Sequence, residues 1–247
     1  MEDHAHRSRK LLERIRQMTP KEASAFATPA EDLIVLPFPS ACETLPCDRF
    51  SMSENEDWNY VQRAKFKELL DGVHELITTP CAGLWLFGTI GYGKSHLLAA
   101  LVCYLVATGS RVLYLPDCRA CLDNPFKYVQ AAMLLCWAES PRLQMEVMAL
   151  RTLDGISDFI DRQFREDKPI IFVIDQMNAL EPVPGDSEEN KERATLKAWL
   201  MACSSSYKGV FGRSVNHVSH QKSLQKQMNI LRVDAYGGLT EVRSVIC

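Results

Sequence analysis

Gly88-Thr89-Ile90-Gly91-Tyr92-Gly93-Lys94-Ser95 is the stretch that decides the fold. It satisfies G-x-x-x-x-G-K-[ST], follows the short apolar run Gly83-Leu-Trp-Leu-Phe-Gly88, and opens a helical pattern from Lys94 to Ala107. Glycines at 88, 91 and 93 let the backbone fold closely around phosphate oxygens and turn consecutive N–H groups inward. The start of the helix adds a partial positive charge. Lys94 supplies a cation for the β- and γ-phosphates, and the Ser95 hydroxyl is a Mg²⁺ ligand. Thr89, within the loop, and His96, the residue after it, complete the expected nucleotide contacts. The four fixed positions arise by chance in a chain of this length roughly 1% of the time, and the strand–loop–helix setting lowers that further.

The second half of such a site is expected at the end of another buried strand. Ile170-Ile-Phe-Val-Ile-Asp175 has that form, with Asp175 placed to hold Mg²⁺ through water. In NTPases with a strand inserted between the two phosphate-site strands, a glutamate usually follows this aspartate. Here the next residue is Gln176, which orients water by hydrogen bonding but takes no proton from it. Slow hydrolysis and a nucleotide-gated switch both fit an amide there. Glu181 is a possible substitute base but reads more simply as a loop carboxylate. A later strand, Lys208 to Arg213, leads into Ser214-Val-Asn216, and Asn216 or Ser214 suits a sensor of the terminal phosphate.

Working outward, short apolar strands alternate with helical patterns: Gly83–Gly88, Arg111–Leu115, Pro169–Asp175, Lys208–Arg213 and Asn229–Val233. This predicts a three-layer α/β/α fold around a parallel sheet of about five strands. Helices are expected over Asn59–Thr78, Lys94–Ala107, Pro125–Glu139, Arg142–Arg165 and Glu188–Cys203. Residues 1–57 read as a flexible, basic and proline-rich arm, with five of the chain's twelve prolines between Pro20 and Pro46. A short helix from Arg7 to Met18 is expected within it. Its basic residues suit a nuclear import signal or a phosphate backbone, and more simply a solvated tail. Residues 58–247 form the core.

The 247 residues carry 28 basic and 31 acidic side chains, a net charge of -3, which argues against wholesale nucleic-acid or membrane electrostatics. No apolar run of about 18 residues is present to span a membrane. The nine cysteines read as reduced, buried thiols. Cys118-Arg-Ala-Cys121 lacks the second pair that a zinc site needs.

Taken together, Gly88–Ala100, Val112-Leu-Tyr-Leu-Pro-Asp-Cys-Arg119 and Phe172-Val-Ile-Asp-Gln-Met-Asn-Ala-Leu-Glu181 resemble the P-loop domain of Crinkler-type effectors and retrotransposon hot-spot proteins. Ser214-Val-Asn216 is similar to that family's Ser-Ala-Asn. Tyr236-Gly-Gly-Leu-Thr-Glu241 is similar to its glycine-glycine turn, and Trp58–Arg63 to its opening motif, with Gln62 where glycine is expected. The resemblance covers about Asp57 to the C-terminus. It implies an ATPase of the inserted-strand class, acting inside a cell in the cytoplasm or nucleus, in a host cell where exported, and attached to toxin-like domains. It implies ATP rather than GTP, and it makes Asp-Gln an ordinary pair. Nucleic acid and a second copy of the chain are its candidate partners. Because the chain stops at Cys247, the expectation is a nucleotide-binding core alone, without lid, effector domain or secretion leader.

Overall fold

Each apolar run is short, rich in β-branched or aromatic residues, and bounded by glycine, proline or aspartate, which favours strands over helices. The computed structural model of the chain describes residues 2–79, 83–88, 91–166, 169–185, 187–206, 208–214 and 230–235. Its strands are β1 (Ile34–Pro37), β2 (Asp57–Tyr60), β3 (Gly83–Gly88), β4 (Arg111–Leu115), β5 (Ile170–Ile174), β6 (Lys208–Ser214) and β7 (Ile230–Asp234). The last five form one parallel sheet in the order β4-β5-β6-β3-β7, while β1 and β2 pair antiparallel. β6 thus lies between β3, which feeds the glycine-rich loop, and β5, which ends at Asp175. This is the inserted-strand order that the sequence predicts.

The side-chain alternation of these strands builds three layers. Leu84, Leu86, Val112, Tyr114, Ile171, Val173 and Val210 face one apolar cluster with helices α1 (Glu2–Met18), α2 (Ala23–Ala27), α3 (Lys65–Thr78) and α4 (Lys94–Ala107). Trp85, Phe87, Leu113, Leu115, Phe172, Ile174 and Phe211 face the other. That second layer draws on α5 (Cys118–Asp123), α6 (Pro125–Cys136), α7 (Pro141–Ala149), α8 (Leu153–Glu166) and α9 (Ser187–Ser206). Trp85 stacks on Phe211 with ring centroids 4.6 Å apart, and Trp137 meets Phe159 edge-on at 5.0 Å. Among the described residues, no helix is long and apolar enough to cross a membrane.

The expected helix over Arg142–Arg165 is two helices. Thr152 interrupts it by accepting the Gly155 N–H on its hydroxyl (3.1 Å), the geometry of a new helix start. The helix expected from Asn59 begins only at Lys65, because Asp57–Tyr60 pairs with β1 as a strand (Ile34↔Tyr60, Leu36↔Trp58).

A larger correction concerns residues 1–57, expected as an extended, solvated arm. Residues 2–57 instead send a set of apolar side chains into the core. α1 runs from Glu2 rather than Arg7 and buries Leu11, Leu12 and Ile15. Phe26, Phe38 and Phe50 are likewise buried. Three basic residues of α1 have ion-pair partners within the chain: Arg7 pairs with Glu56 at 2.5 Å, Arg14 with Asp57 at 2.5 Å, and Arg16 with Glu139. The physical reason is aromatic area. Together these rings and the buried leucines and isoleucine of α1 remove enough apolar surface from water to offset the entropy of ordering the segment.

Candidate nucleotide site

The site is built where β3, β5 and β6 end together. At the carboxyl end of β3 the chain turns through Gly91 (φ 88°) and Gly93 (φ 64°), left-handed conformations that side chains disfavour. A Cβ at Gly93 would stand 2.5 Å from Arg63 Nη1, so a side chain there would also displace that guanidinium. Lys94 and Ser95 then open α4, both buried. The Lys94 ammonium donates to the Gly88 carbonyl at 2.8 Å, which turns it back over the loop. Burial lowers its pKa, with Asp175 opposing that shift. Thr89, expected to contribute to the loop, lies outside the described residues.

Asp175 follows β5 and is held from several sides. Its N–H donates to the Leu115 carbonyl (2.9 Å), and its Oδ1 accepts from the Gln176 N–H (2.8 Å). Burial raises its pKa, against the lowering influence of Arg49, Ser95, the Gln176 N–H and Lys94. Gln176 itself adopts a left-handed backbone, φ 60°, at the start of the 3-10 turn Met177–Leu180. That bend ends the strand and sets Gln176 and Asn178 along the wall of the cleft.

Arg49 carries no motif, yet it joins the two halves of the site. Its Nη1 donates to Ser95 Oγ (3.0 Å) and to Asp175 Oδ2 (2.8 Å). Its Nη2 donates to the Pro116 carbonyl (2.9 Å) and approaches Asp117 Oδ2 at 3.1 Å. Asp117 accepts from Arg119 Nη2 at 2.7 Å, and Arg119 reaches back to Asp48 at 2.8 Å. Hydrogen bonds and charge from Arg119 and Arg49 outweigh the burial of the Asp117 carboxyl and hold its pKa below the usual value.

His96 does reach the site. Its ring stacks on Phe50 (centroids 4.4 Å) and meets Trp58 edge-on at 5.4 Å. Burial, Arg63 and Arg49 push its pKa down to about 4. Arg63, also buried, donates to the Tyr92 carbonyl at 3.2 Å and so braces the loop from below.

Arg49, Arg63, Lys94, Ser95, His96, Arg119 and Gln176 border one cleft of about 710 Å³ that also takes in Leu33, Asn59 and Val61, while the buried Asp175 is not part of its lining. A volume of this order accommodates a small organic ligand. Ser95 Oγ and Asp175 Oδ2 converge on a single cationic atom, and a hydroxyl with a carboxylate is a donor pair of the kind Mg²⁺ takes. The residues present therefore fit that metal. Gly88 is in register with Ser214, so β6 ends beside the end of β3. Asn216 lies outside the described residues. Cys118 and Cys121 are buried free thiols, the latter pushed up to about 12 by burial, and no group of three metal-ligating side chains occurs among the described residues.

Arg49 and Asp117 carry no site role in the sequence motifs, and Arg63 enters there only as the end of the Trp58–Arg63 block. Asp117 had a readable signal, a capping aspartate just past a buried strand, whose carboxylate accepts the Arg119 N–H at 2.9 Å.

No family model and no curated protein matches this chain. Among solved structures, a DNA replication initiation factor is similar, with 14% identity over 68% of this chain and 46% of that chain and a TM-score of 0.34. The chain thus spans less than half the length of that structure. A likeness of this size carries no argument, and the fold rests on the strand order and the loop geometry above.

Proposed function

We propose that the chain binds ATP together with Mg²⁺ and hydrolyses it slowly, as the nucleotide-binding core of an intracellular effector of the Crinkler and retrotransposon hot-spot kind. One observation carries the reading of nucleotide binding. The loop at the start of α4 lines a cleft, and the Asp175 carboxylate at the end of β5, buried beside it, shares one cation position with Ser95 of that loop. The amides of the loop and the first turn of α4 bind the phosphates. Lys94 exchanges its bond to the Gly88 carbonyl for a phosphate oxygen. Ser95 and Asp175 would hold Mg²⁺, which neutralises phosphate charge when bound. Gln176 orients water beside Asp175, and Asn216 senses the terminal phosphate. The preference for ATP and the effector role rest on the resemblance of the sequence blocks alone.

A second reading, a nucleotide-gated switch with little turnover, is favoured by Gln176. An amide in the place beside Asp175 accepts no proton, so it leaves water unactivated. Single-turnover hydrolysis by the wild type and Gln176→Glu separates the two, with and without DNA. A rate raised by Gln176→Glu supports limiting water activation in an ATPase. No turnover in either form, with ATP binding retained, supports the switch. No binding at all refutes both.

A further inference from the structure

Asp175 is a carboxylate with 2% of its side chain exposed, and a buried charge of that kind demands a compensating cation. In the structure the cation is Arg49, 126 residues away in sequence. Nothing about its segment, Pro46-Cys-Asp-Arg-Phe50, marks it as part of a phosphate site. We propose that Arg49 is the resident counter-cation of this site, occupying the place between Ser95 and Asp175 where the metal of a bound nucleotide would sit. Arg49 and the metal then exclude one another there. The proposal rests on the nucleotide reading for the metal's physiological source, though not for its test.

The geometry supports exclusion in three ways. First, the contact is made through one atom, Nη1, which satisfies both Ser95 Oγ and Asp175 Oδ2. Mg²⁺ on Ser95 Oγ, with one of its waters on Asp175, would claim the oxygen lone pairs that these hydrogen bonds use. Second, a divalent cation at this position would stand beside a guanidinium that is 15% exposed and therefore poorly screened. Third, Arg49 has a second foothold. Its Nη2 on the Pro116 carbonyl and Asp117 lets the fork tilt away from Asp175 without losing every partner.

The segment is also anchored where a movement would be felt. The N–H groups of Arg49 and Phe50 both donate to the Pro46 carbonyl, at 3.0 and 3.2 Å, and Phe50 stacks on His96. His96 directly follows Ser95 in α4. Metal occupancy at Ser95 and the packing of residues 46–50 are thereby linked through adjacent side chains, which ties the N-terminal segment to the state of the site.

The test is Mn²⁺ binding to nucleotide-free protein, followed by electron paramagnetic resonance, in the wild type, Arg49→Gln and Arg49→Gln/Asp175→Asn. When Arg49 holds the place in about nine-tenths of molecules, metal affinity is reduced about tenfold. Arg49→Gln should therefore bind Mn²⁺ about tenfold or more tightly than the wild type, and the added Asp175→Asn should abolish the gain. Equal or weaker binding by Arg49→Gln would overturn the proposal, as would a gain that survives loss of Asp175. Should Arg49→Gln fail to unfold cooperatively, Arg49→Met carries the same comparison, since it keeps an apolar stem but loses the charge. Tighter Mn²⁺ binding than wild type supports exclusion, and unchanged binding refutes it. Failure of every protein to bind ATP would sink the nucleotide reading separately, because the Mn²⁺ comparison needs no nucleotide.

Discussion

His96 makes the stability of this protein depend on pH in a predictable direction. The side chain lies against Phe50 and Trp58, with Arg63 and Arg49 close enough to repel a positive charge. Its pKa falls from the ordinary 6.5 to about 4. Below pH 6.5 the unfolded chain takes up a proton that the folded protein refuses until about pH 4, so stability falls as pH drops through that window. Above pH 6.5 the group adds no slope, and below about 4 the loss is complete. The separation of the two values corresponds to about 3 kcal/mol, a large part of the roughly 5–15 kcal/mol that holds a domain together. His96→Phe keeps a stacking ring and never charges. Urea unfolding of both proteins from pH 7.5 to 4.5 should show the wild type losing stability relative to His96→Phe by about 1.4 kcal/mol per pH unit below pH 6. Parallel stability curves would refute the reasoning. So would a His96 ring resonance that titrates near 6.5 in the folded protein.

Other perturbations follow from the same contacts. Gly93→Ala forces a side chain into φ 64° and against Arg63 Nη1, so it should destabilise by about 1–3 kcal/mol and abolish nucleotide binding; an unchanged melting temperature with normal ATP affinity would contradict it. Phe50→Ala removes a buried ring that touches Phe38, Trp58 and His96 and should cost about 3–5 kcal/mol in denaturant unfolding. A loss below about 1 kcal/mol would mean that the N-terminal segment is not part of the core.

The sheet was legible because its strands declare themselves locally. Gly83–Gly88 and Arg111–Leu115 are continuous apolar runs between punctuating residues, and the structure begins and ends them at the same positions. Lys94, Ser95 and Asp175 were legible because glycine spacing and a carboxylate ending a buried strand are sequence-local signals. The N-terminal segment was not. β1 is only Ile34-Val-Leu-Pro37 and β2 only Asp57-Trp-Asn-Tyr60, too short and too mixed to show a period. What holds them is the pairing of the two strands and the burial of Phe26, Phe38 and Phe50, contacts between residues far apart in sequence. Proline and polar composition pointed the other way and was overridden by aromatic packing. Arg49 was hidden for the same reason, since its partners Ser95, Pro116, Asp117 and Asp175 are assembled only by the fold.

Calorimetric titration of ATP with Mg²⁺ into the wild type and Lys94→Ala tests nucleotide binding most directly. Lys94 is buried at the loop with its ammonium on the Gly88 carbonyl, in place to exchange that partner for a phosphate oxygen. A charge-assisted hydrogen bond to phosphate is worth about 2–3 kcal/mol, so the variant should bind roughly fiftyfold more weakly while melting like the wild type. ATP affinity unchanged by Lys94→Ala, or no affinity in the wild type, would contradict a phosphate-binding loop at Gly88–Ser95.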